Sequence, residues 1–417
     1  MHLKPYSMII EKGNNQRNSR ERKILWIQPT FGDKALHKMA GLEVLRQLAK
    51  RKYSIYVIGT TSKEKVLFRF ENSQVRIISI PLKSVPLILP VMRTFLLLFF
   101  LPIFIITLKP DFIIEAPDVS ILSLIPTLIF SKLKRVKFIL DVRSIPVETF
   151  GFRGFMLNFW FTASVLVARK FFDGMTLITS SMKEEVCTRF HINPKNVGVW
   201  TSGVSTRLFD PSKYISEKSE FKRKLGLSAK FVVFYHGVFS ATRGLTQTVE
   251  AMKILNHTRP NAALFLLGTG PMASKIRSLI REEGLQHNVV IHNAVDQSEV
   301  PKFISMCDVG IVPLPNHPHW RSQSPLKLLE YLAMEKVVIV TDIPAHRSII
   351  GENKCGLYIS SINPMDIAKT IEYADTNKGN LEKWGKIGRK IIKEEYTWEK
   401  VARDLENYLS SINSGAT

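Results

Sequence analysis

Acidic residues and cysteines are scarce in this sequence. Aspartate and glutamate number 36 against 58 lysines and arginines among 417 residues, so the formal net charge is +22. Such an excess favours an anionic partner: a nucleic acid, an anionic membrane surface or a phosphorylated small molecule. The three cysteines, Cys187, Cys307 and Cys355, stand far apart, without CxxC or Cys/His metal spacing. We therefore expect neither a zinc site nor a disulfide framework, but buried thiols in a reducing compartment.

Several catalytic and targeting patterns are also missing. The chain has no GxxxxGK(S/T) phosphate loop, no HExxH helix and no GxSxG nucleophile turn. Basic and aromatic residues are not interleaved as in nucleic-acid-binding segments, so we expect no nucleic-acid partner and keep a basic nucleic-acid-binding protein as a weaker alternative. Residues 1–22 are polar and basic and lack the apolar core of a secretory signal. We expect them to form a flexible extension of a cytoplasmic protein.

What the sequence does have is an alternation of apolar strands and helical segments. The strands "KILWIQP" and "YSIYVIGT" are separated by a helical pattern, turn-forming residues are expected over 197–211, and the alternation restarts at "FVVFYHG" (231–237). This alternation is typical of doubly wound parallel sheets. We predict an α/β protein with two Rossmann-like domains, residues 23–212 and 213–395, facing each other across a cleft. Ligands of such sheets bind beyond the carboxyl ends of the strands.

One long apolar segment interrupts the soluble pattern. Residues 85–110, "VPLILPVMRTFLLLFFLPIFIITLKP", are long enough to span a bilayer. Pro90, Arg93 and Pro102 interrupt the segment, and its position between two strands of one sheet argues against a crossing. We favour an interfacial anchor over residues 85–108 that lies on the anionic inner face of the cell membrane. The alternative is an unusually apolar crossover helix packed on the sheet.

Two turns in the second half carry glycines after a buried strand. In "YHGVFSATRGL", Gly237 ends the strand and Arg243 precedes a helix, so its guanidinium could fork onto two phosphate oxygens. A turn glycine with a solvated arginine is the alternative. In "LLGTGP", Gly268 and Gly270 would let a ligand approach the backbone closely, although a plain turn explains them as well.

A third segment, "RSQSPLKLLE", begins a helix at the same edge. Ser324 is a good N-cap residue and Pro325 suits the first helical position. Lys327 in the first turn opposes the helix dipole, a conflict that a bound anion would relieve. Glu330 follows three residues later, so it either pairs with Lys327 within the helix or accepts hydrogen bonds from two adjacent sugar hydroxyls.

Two loops in the first half also face the predicted cleft. "PTFGDK" contains Gly32 and Asp33, and "DVRSIP" contains Asp141 and Arg143 at the end of a strand. For the second loop, a structural Asp–Arg pair and a substrate contact remain equally open.

Taken in order, these segments resemble a family 4 glycosyltransferase of the GT-B fold. The resemblance runs from about residue 23 to residue 410 and rests on "WTSGVSTRLFDP", "YHGVFSATRGL", "LLGTGP", "VPKFISMCDVGIVPLP" and "SPLKLLEYLAMEKVVIVTDIP". A sixth segment, "YTWEKVARDLENYL", is similar to a terminal helix that crosses back to the first domain in the family. The resemblance therefore implies that residues 396–417 pack on the first domain.

The resemblance also implies roles for individual residues. Glu330 would bind the ribose hydroxyls of a nucleotide sugar, and Arg243 together with the helix after Ser324 would neutralise the diphosphate. The implied catalytic set is Asp141, Arg143, Arg243, Lys327 and Glu330. The implied donor-binding set is Gly237, Arg243, Gly268, Gly270, Arg321, Ser322, Ser324, Pro325, Leu326, Lys327 and Glu330, while Gly32 and Asp33 fall on the acceptor side.

Three positions depart from the family pattern. Ser322 stands where many members carry a second glutamate, so contact with the donor sugar would fall to Arg321, Gln323 or backbone amides. Val238 replaces a frequent arginine, and Ser202 replaces an asparagine in the junction segment. Asp141 and Arg143 are similar to the D-x-R-D pattern of one subgroup.

The resemblance implies a sugar transfer with retention of configuration, without a metal or other cofactor. The expected donor is a UDP- or GDP-sugar, and the expected acceptor is a lipid-linked or cell-envelope glycan at the inner face of the cell membrane. Another GT-B activity, such as a nucleotide-sugar 2-epimerase, remains the alternative.

Overall fold

The structure of the protein, a computed structural model, describes residues 21–30, 36–61, 75–81, 88–146 and 151–413. The predicted extension lies outside these residues except for its last two, and Arg22 already belongs to the first strand. Gly32 and Asp33 also lie outside the described residues.

The first domain is built on a seven-stranded parallel sheet. Its strands have the order β3-β2-β1-β4-β5-β6-β7, so the chain reverses direction across the sheet between β1 and β4. The strands are β1 (Arg22–Thr30), β2 (Tyr53–Thr61), β3 (Val75–Pro81), β4 (Phe112–Glu115), β5 (Lys137–Val142), β6 (Gly174–Leu177) and β7 (Val197–Val199). The helices are α1 (Leu36–Ala49), α2 (Ile88–Leu108), α3 (Ile121–Lys134), α4 (Gly151–Phe171) and α5 (Ser180–Phe190).

The second domain repeats this architecture with six parallel strands in the order β10-β9-β8-β11-β12-β13. The strands are β8 (Phe231–Val238), β9 (Ala262–Thr269), β10 (Val289–His292), β11 (Val309–Val312), β12 (Val337–Thr341) and β13 (Gly356–Ile359). The helices are α6 (Lys218–Lys224), α7 (Leu245–Thr258), α8 (Ala273–Glu282), α9 (Val300–Met306), α10 (Pro318–Arg321), α11 (Leu326–Ala333), α12 (Pro344–Ile350), α13 (Pro364–Thr376) and α14 (Leu381–Glu395). A final helix, α15 (Trp398–Asn413), follows the second domain in the chain. The predicted pair of doubly wound sheets is thereby confirmed.

The prediction of turns over 197–211 is wrong at its start. Residues Val197–Val199 form the edge strand β7, whose Val197 pairs with Met175 of β6. Three residues are too few to show an alternating pattern, so the neighbouring strand decides the conformation here. Helix α4 also has no counterpart among the segments read from the sequence.

The last helix, α15, leaves the second domain and packs on the first sheet. Its Val401, Leu405 and Leu409 share a core with Ile24 and Trp26 of β1. The Tyr408 ring fills the space that a side chain would need at two strand glycines, and its hydroxyl accepts a hydrogen bond from a backbone N–H of β6 at 2.9 Å. The two domains are therefore joined twice, once through the chain after β7 and once through α15.

Helix α2 connects β3 to β4 and packs on the sheet that contains both. Its inner face buries Leu97, Leu101 and Ile105. Among the described helices it is the one long and apolar enough, over Pro90–Leu108, to cross a membrane. A crossing would place β3 and β4 on opposite sides of the bilayer, yet they are parallel strands of one sheet. The helix is a crossover helix with one buried and one exposed face.

Candidate active site

The two domains meet at the loop that precedes α11. Thr179, the N-cap of α5 in the first domain, donates a hydrogen bond from its hydroxyl to the Ser322 carbonyl oxygen at 2.7 Å. The Thr201 and Ser324 hydroxyls lie 3.3 Å apart. The carboxyl ends of both sheets therefore converge on residues 321–325.

The start of α11 differs from the prediction. The helix begins at Leu326, Pro325 occupies the N-cap position, and no side chain caps the first turn. Ser324 does not cap because its hydroxyl faces Thr201 of the first domain. The first N–H groups of α11 consequently lack a side-chain acceptor, which leaves the positive end of the helix dipole uncompensated.

Two cations lie together at this edge. The Lys327 ammonium group is 3.8 Å from the centre of the Tyr235 ring and would be 3.0 Å from a Cβ atom placed on Gly237. Burial, reinforced by the positive charge of Arg243, lowers the pKa of Lys327 well below its usual value, and Glu330 only partly opposes this. Arg243 stacks at 4.4 Å on the Trp320 ring. Among the described residues neither cation has a carboxylate within ion-pair distance, so the Lys327–Glu330 pair considered from the sequence does not form.

Glu330 has other partners. Its side chain is nearly buried, with the residue 3% exposed, and one carboxylate oxygen accepts a hydrogen bond from the Gln297 side-chain amide at 3.3 Å. The other oxygen lies 3.2 Å from His236 Nε2, but out of line for a hydrogen bond. Sequence reasoning missed both partners. His236 is adjacent to Gly237 in a quoted motif, whereas Gln297 lies 33 residues from Glu330 and has no local signal.

The glycines of "LLGTGP" are explained by the chain itself. A Cβ atom would lie 2.0 Å from the Gly237 carbonyl oxygen at Gly268, and 2.4 Å from the Phe239 carbonyl oxygen at Gly270. Both residues also have positive φ angles, 153° and 158°, which glycine tolerates best. Close packing of the turns after β8 and β9 therefore requires these glycines. Their contact with a ligand stays a prediction.

The loop before α11 carries polar atoms that lack partners within the described chain. The Ser322 hydroxyl and the Gln323 side-chain nitrogen are both buried without a hydrogen bond. Arg321, in contrast, is exposed and donates from Nε to the Asn316 side-chain oxygen at 2.7 Å. Unpaired buried groups cost free energy, so Ser322 and Gln323 are better candidates than Arg321 for contact with a ligand.

Asp141 and Arg143 are joined through Trp200. The Asp141 carboxylate accepts hydrogen bonds from Trp200 Nε1 at 3.0 Å and from the Thr176 hydroxyl at 2.8 Å. Arg143 donates to the Trp200 carbonyl oxygen at 2.6 Å and stacks on the ring at 3.4 Å. Burial raises the pKa of Asp141 and lowers the pKa of Arg143 to about 10. These contacts build the first-domain wall of the cleft, and a substrate contact of either residue remains a prediction.

Comparison with known families gives a match over most of the second domain. Residues 217–391 match the family model described as "Glycosyl transferases group 1". The second domain therefore resembles a group 1 glycosyl transferase domain, and we call it the group 1 domain. All the residues gathered around Arg243, Lys327 and Glu330 belong to this group 1 domain.

Similar proteins extend the comparison beyond the group 1 domain. "Uncharacterized glycosyltransferase MJ1607" of Methanocaldococcus jannaschii is 28% identical over 233 residues, which cover 55% of this chain and 58% of the relative. "Putative teichuronic acid biosynthesis glycosyltransferase TuaH" of Bacillus subtilis is 23% identical over 236 residues, covering 57% and 56%. The alignments thus span little more than half the length of these relatives.

A solved structure matches nearly the whole chain. The crystal structure of Anabaena Alr3699/HepE in complex with UDP and glucose covers 94% of this chain and 100% of its own, with a TM-score of 0.68 and 14% sequence identity. At this identity the likeness concerns the fold. The predicted GT-B arrangement, two Rossmann-like domains around a cleft, is confirmed.

Proposed function

We propose that the chain is a glycosyltransferase that binds a nucleotide sugar in the cleft and transfers the sugar to a glycan acceptor. One observation carries the proposal: Arg243 and Lys327 lie together without a described carboxylate partner at the edge of the group 1 domain. Two adjacent cations repel each other, so this arrangement is stabilised when an anion binds between them.

The diphosphate of the donor fits this edge. Two helices, α7 and α11, begin here without a side-chain cap, so their first N–H groups are available to phosphate oxygens. The glycine at position 237 leaves the space that the Lys327 ammonium group occupies. Helix N-termini and two cations together supply the charge and the donors that a diphosphate requires.

The pentose of the nucleotide fits Glu330. Its carboxylate accepts a hydrogen bond from Gln297 and lies 3.2 Å from His236 Nε2. Two carboxylate oxygens can accept hydrogen bonds from two adjacent hydroxyl groups. The donor sugar would then reach Ser322 and Gln323, whose unpaired polar atoms stand in for the missing second glutamate.

We propose transfer with retention and without a metal ion. The bond between the sugar C1 and the diphosphate oxygen breaks, the acceptor oxygen forms the new bond to C1, and the acceptor hydroxyl passes its proton to the departing diphosphate oxygen. Negative charge develops on the departing diphosphate, where Arg243, Lys327 and the helix N-termini stabilise it. The acceptor is proposed to be a lipid-linked or cell-envelope glycan, in agreement with the name of the teichuronic acid relative, and the site of work to be the inner face of the cell membrane.

The proposal is tested with a panel of UDP-, GDP-, ADP- and dTDP-sugars in thermal unfolding. We expect UDP or GDP compounds to raise the melting temperature, because a ligand that binds the folded state stabilises it by mass action. Glu330→Gln should abolish this shift and the transfer reaction. No shift with any member of the panel, or undiminished turnover in Glu330→Gln, would refute the proposal.

Product analysis without an acceptor separates the two enzyme classes. A glycosyltransferase leaves the donor intact or hydrolyses it slowly, whereas a nucleotide-sugar 2-epimerase converts it into an isomer. Isomer formation would replace the proposed transfer by the epimerase alternative.

A further inference from the structure

Exposed apolar side chains are concentrated on three helices of the first domain. Among the described residues, seven exposed large apolar side chains lie on α2, two on α3 and six on α4, while four are scattered elsewhere. They include Phe99 at 72%, Phe152 at 73% and Phe155 at 63% exposure. Soluble surfaces rarely expose so many large apolar groups together, which marks this face as an interaction surface.

The three helices form one continuous layer. Helix α3 contacts both α2 and α4, and all three pack on the same side of the first sheet through Leu101, Leu124 and Phe161. The outward side chains of α2, α3 and α4 therefore make a single surface, which we call the apolar face.

The charged residues within the three helices have one sign. The sequences of α2, α3 and α4 contain no aspartate or glutamate. Arg93, in the second turn of α2, turns inward to Asp118 and is buried. Exposed basic residues lie instead at the ends of the helices, at Lys109, Arg135 and Lys170. An apolar surface with a basic rim matches an anionic bilayer, where the rim meets phosphate headgroups and the rings enter the interface.

A second copy of the chain fits this face less well. Two apolar faces in contact would bring their basic rims together, and neither rim carries an acidic group from these helices to balance the other. An anionic lipid surface supplies that missing charge.

The direction of the helices determines which edge of the first sheet the apolar face approaches. Each of α2, α3 and α4 starts after the carboxyl end of a strand, so its first turns lie at the cleft edge of the sheet. Phe152 and Phe155 lie in the first two turns of α4, and Phe95 directly follows the second turn of α2. The Arg93–Asp118 pair continues through Ser120 to Glu115, the last residue of β4. The apolar face thus reaches the acceptor side of the cleft.

We infer that the apolar face of α2, α3 and α4 docks on an anionic bilayer and holds the carboxyl edge of the first sheet beside the headgroups. A lipid-linked acceptor would then reach the cleft without leaving the membrane, a consequence that rests on the proposed function. The docking is peripheral, because α2 packs its inner face on the sheet and both its neighbouring strands lie in that sheet.

Vesicle sedimentation of the full chain tests the docking. The wild type should bind vesicles that contain phosphatidylglycerol, bind phosphatidylcholine vesicles more weakly, and lose affinity as salt rises. The double variant Phe95→Ser/Phe155→Ser should partition at least about tenfold less, because two rings no longer enter the interface. The matched control Ile215→Ser, at a residue 74% exposed in the second domain, should bind like the wild type.

Equal binding of the double variant and the wild type would overturn the inference. So would a dimeric wild type in size-exclusion chromatography that becomes monomeric in the double variant without any vesicle binding, since the face would then belong to a second copy. If the double variant does not fold, Phe99→Ser replaces it, because this side chain is also largely exposed.

Nucleotide-induced stabilisation separates this inference from the proposed function. The double variant should keep the wild-type thermal shift with UDP or GDP in the absence of vesicles, whereas Glu330→Gln should lose the shift and still sediment with vesicles. Vesicle binding without any nucleotide response refutes the proposed function alone. A nucleotide response without vesicle binding refutes the docking alone.

Discussion

Helices α4 and α14 each cover a parallel sheet, but their outer surfaces differ. Helix α4 exposes Phe152, Phe155 and Phe159. Every exposed residue of α14 is charged, and its Lys386 pairs with Glu382 at 2.7 Å. The inward stripe of both helices is dictated by the sheet beneath, whereas the outward stripe is free to match a partner. The outer face of α14 therefore suits water, whereas the outer face of α4 suits the membrane surface that we infer.

The two domains also differ in how their cleft residues are engaged. In the first domain, Asp141 and Arg143 both form hydrogen bonds with Trp200. In the group 1 domain, Arg243 and Lys327 have no described carboxylate partner. We conclude that the first domain contributes a wall and a surface, while the group 1 domain contributes the charges that a ligand would neutralise.

The largest expected effect follows from this difference in charges. Lys327→Ala and Arg243→Ala should each lower the rate of sugar transfer by about a hundredfold or more, because each removes a cation from the developing negative charge. Steady-state kinetics with the donor found in the thermal panel provides the measurement. Lys109→Ala, which removes an exposed lysine of the first domain, should leave turnover in solution unchanged. Equal losses of transfer rate in all three variants would contradict the conclusion that only the group 1 domain supplies the charges for the ligand.

Glycine substitutions compare the packing of the two domains. Gly268→Ala should destabilise the protein by about 3 kcal/mol or more, because the new Cβ meets a backbone oxygen that cannot move aside. Gly198→Ala in the first domain should cost less, since its Cβ meets the Tyr408 ring and not a backbone oxygen. Gly379→Ala is the control, with nothing within 4 Å of the added atom. Urea unfolding measures all three, and a smaller loss for Gly268→Ala than for Gly198→Ala would contradict this account.

The two domains should respond to pH in opposite directions. Burial lowers the pKa of His346 in the group 1 domain from 6.5 to about 4, although its bond to the Thr341 carbonyl oxygen and the charge of Asp342 oppose the shift. Between these pH values the histidine is protonated in the unfolded chain but largely neutral in the folded protein. About 3 kcal/mol of stability is therefore lost as pH falls from 6.5 to 4. His346→Gln should flatten this acid decline in urea unfolding.

Glu115 in the first domain should give the opposite dependence of folding stability on pH. Burial, with a further contribution from the charge of Asp118, raises the pKa of its carboxyl well above 4.5. The folded carboxyl keeps a proton that the unfolded one releases, so this group costs stability as pH rises above 4.5. Glu115→Gln should remove that cost at neutral pH. A stability profile that is unchanged in either variant would show that the corresponding group does not set the pH response.

The smallest expected effect concerns the contact between the domains. Thr179→Asp keeps a good N-cap acceptor for α5 but cannot donate to the Ser322 carbonyl oxygen. We expect about a tenfold loss of kcat/KM with unchanged melting temperature, since one hydrogen bond to a positioning loop is removed. Thr179→Ser retains both functions and should stay close to the wild type. Full activity of Thr179→Asp would show that Thr179 serves only as a helix cap.

Much of the fold could be predicted because its signals are local. The strand predicted at 231–237 is β8, which ends one residue later at Val238, and the buried run at Val337–Thr341 lies where an apolar β-branched segment indicates a parallel strand. The strand at 197–199 could not be predicted, because only its pairing with β6 makes it a strand.

The candidate site was predicted in part for the same reason. Arg243, Lys327 and Glu330 lie in motifs with local order, and the structure brings all three to one edge of the second sheet. The partners of Glu330 could not be found in this way, since Gln297 reaches it from a distant loop. The capping role of Ser324 was predicted wrongly, because a residue of the other domain competes for its hydroxyl.

The sequence by itself determined most of the strands and helices, the two-sheet architecture and the motifs of the group 1 domain, since these depend on near neighbours along the chain. Only the tertiary structure decided that Tyr408 of α15 fills the space beside two strand glycines, that Arg143 stacks on Trp200, and that three separate helices join their exposed rings into one face. Those outcomes depend on which surfaces meet in space, and the free energy of such contacts is set by residues far apart in the sequence.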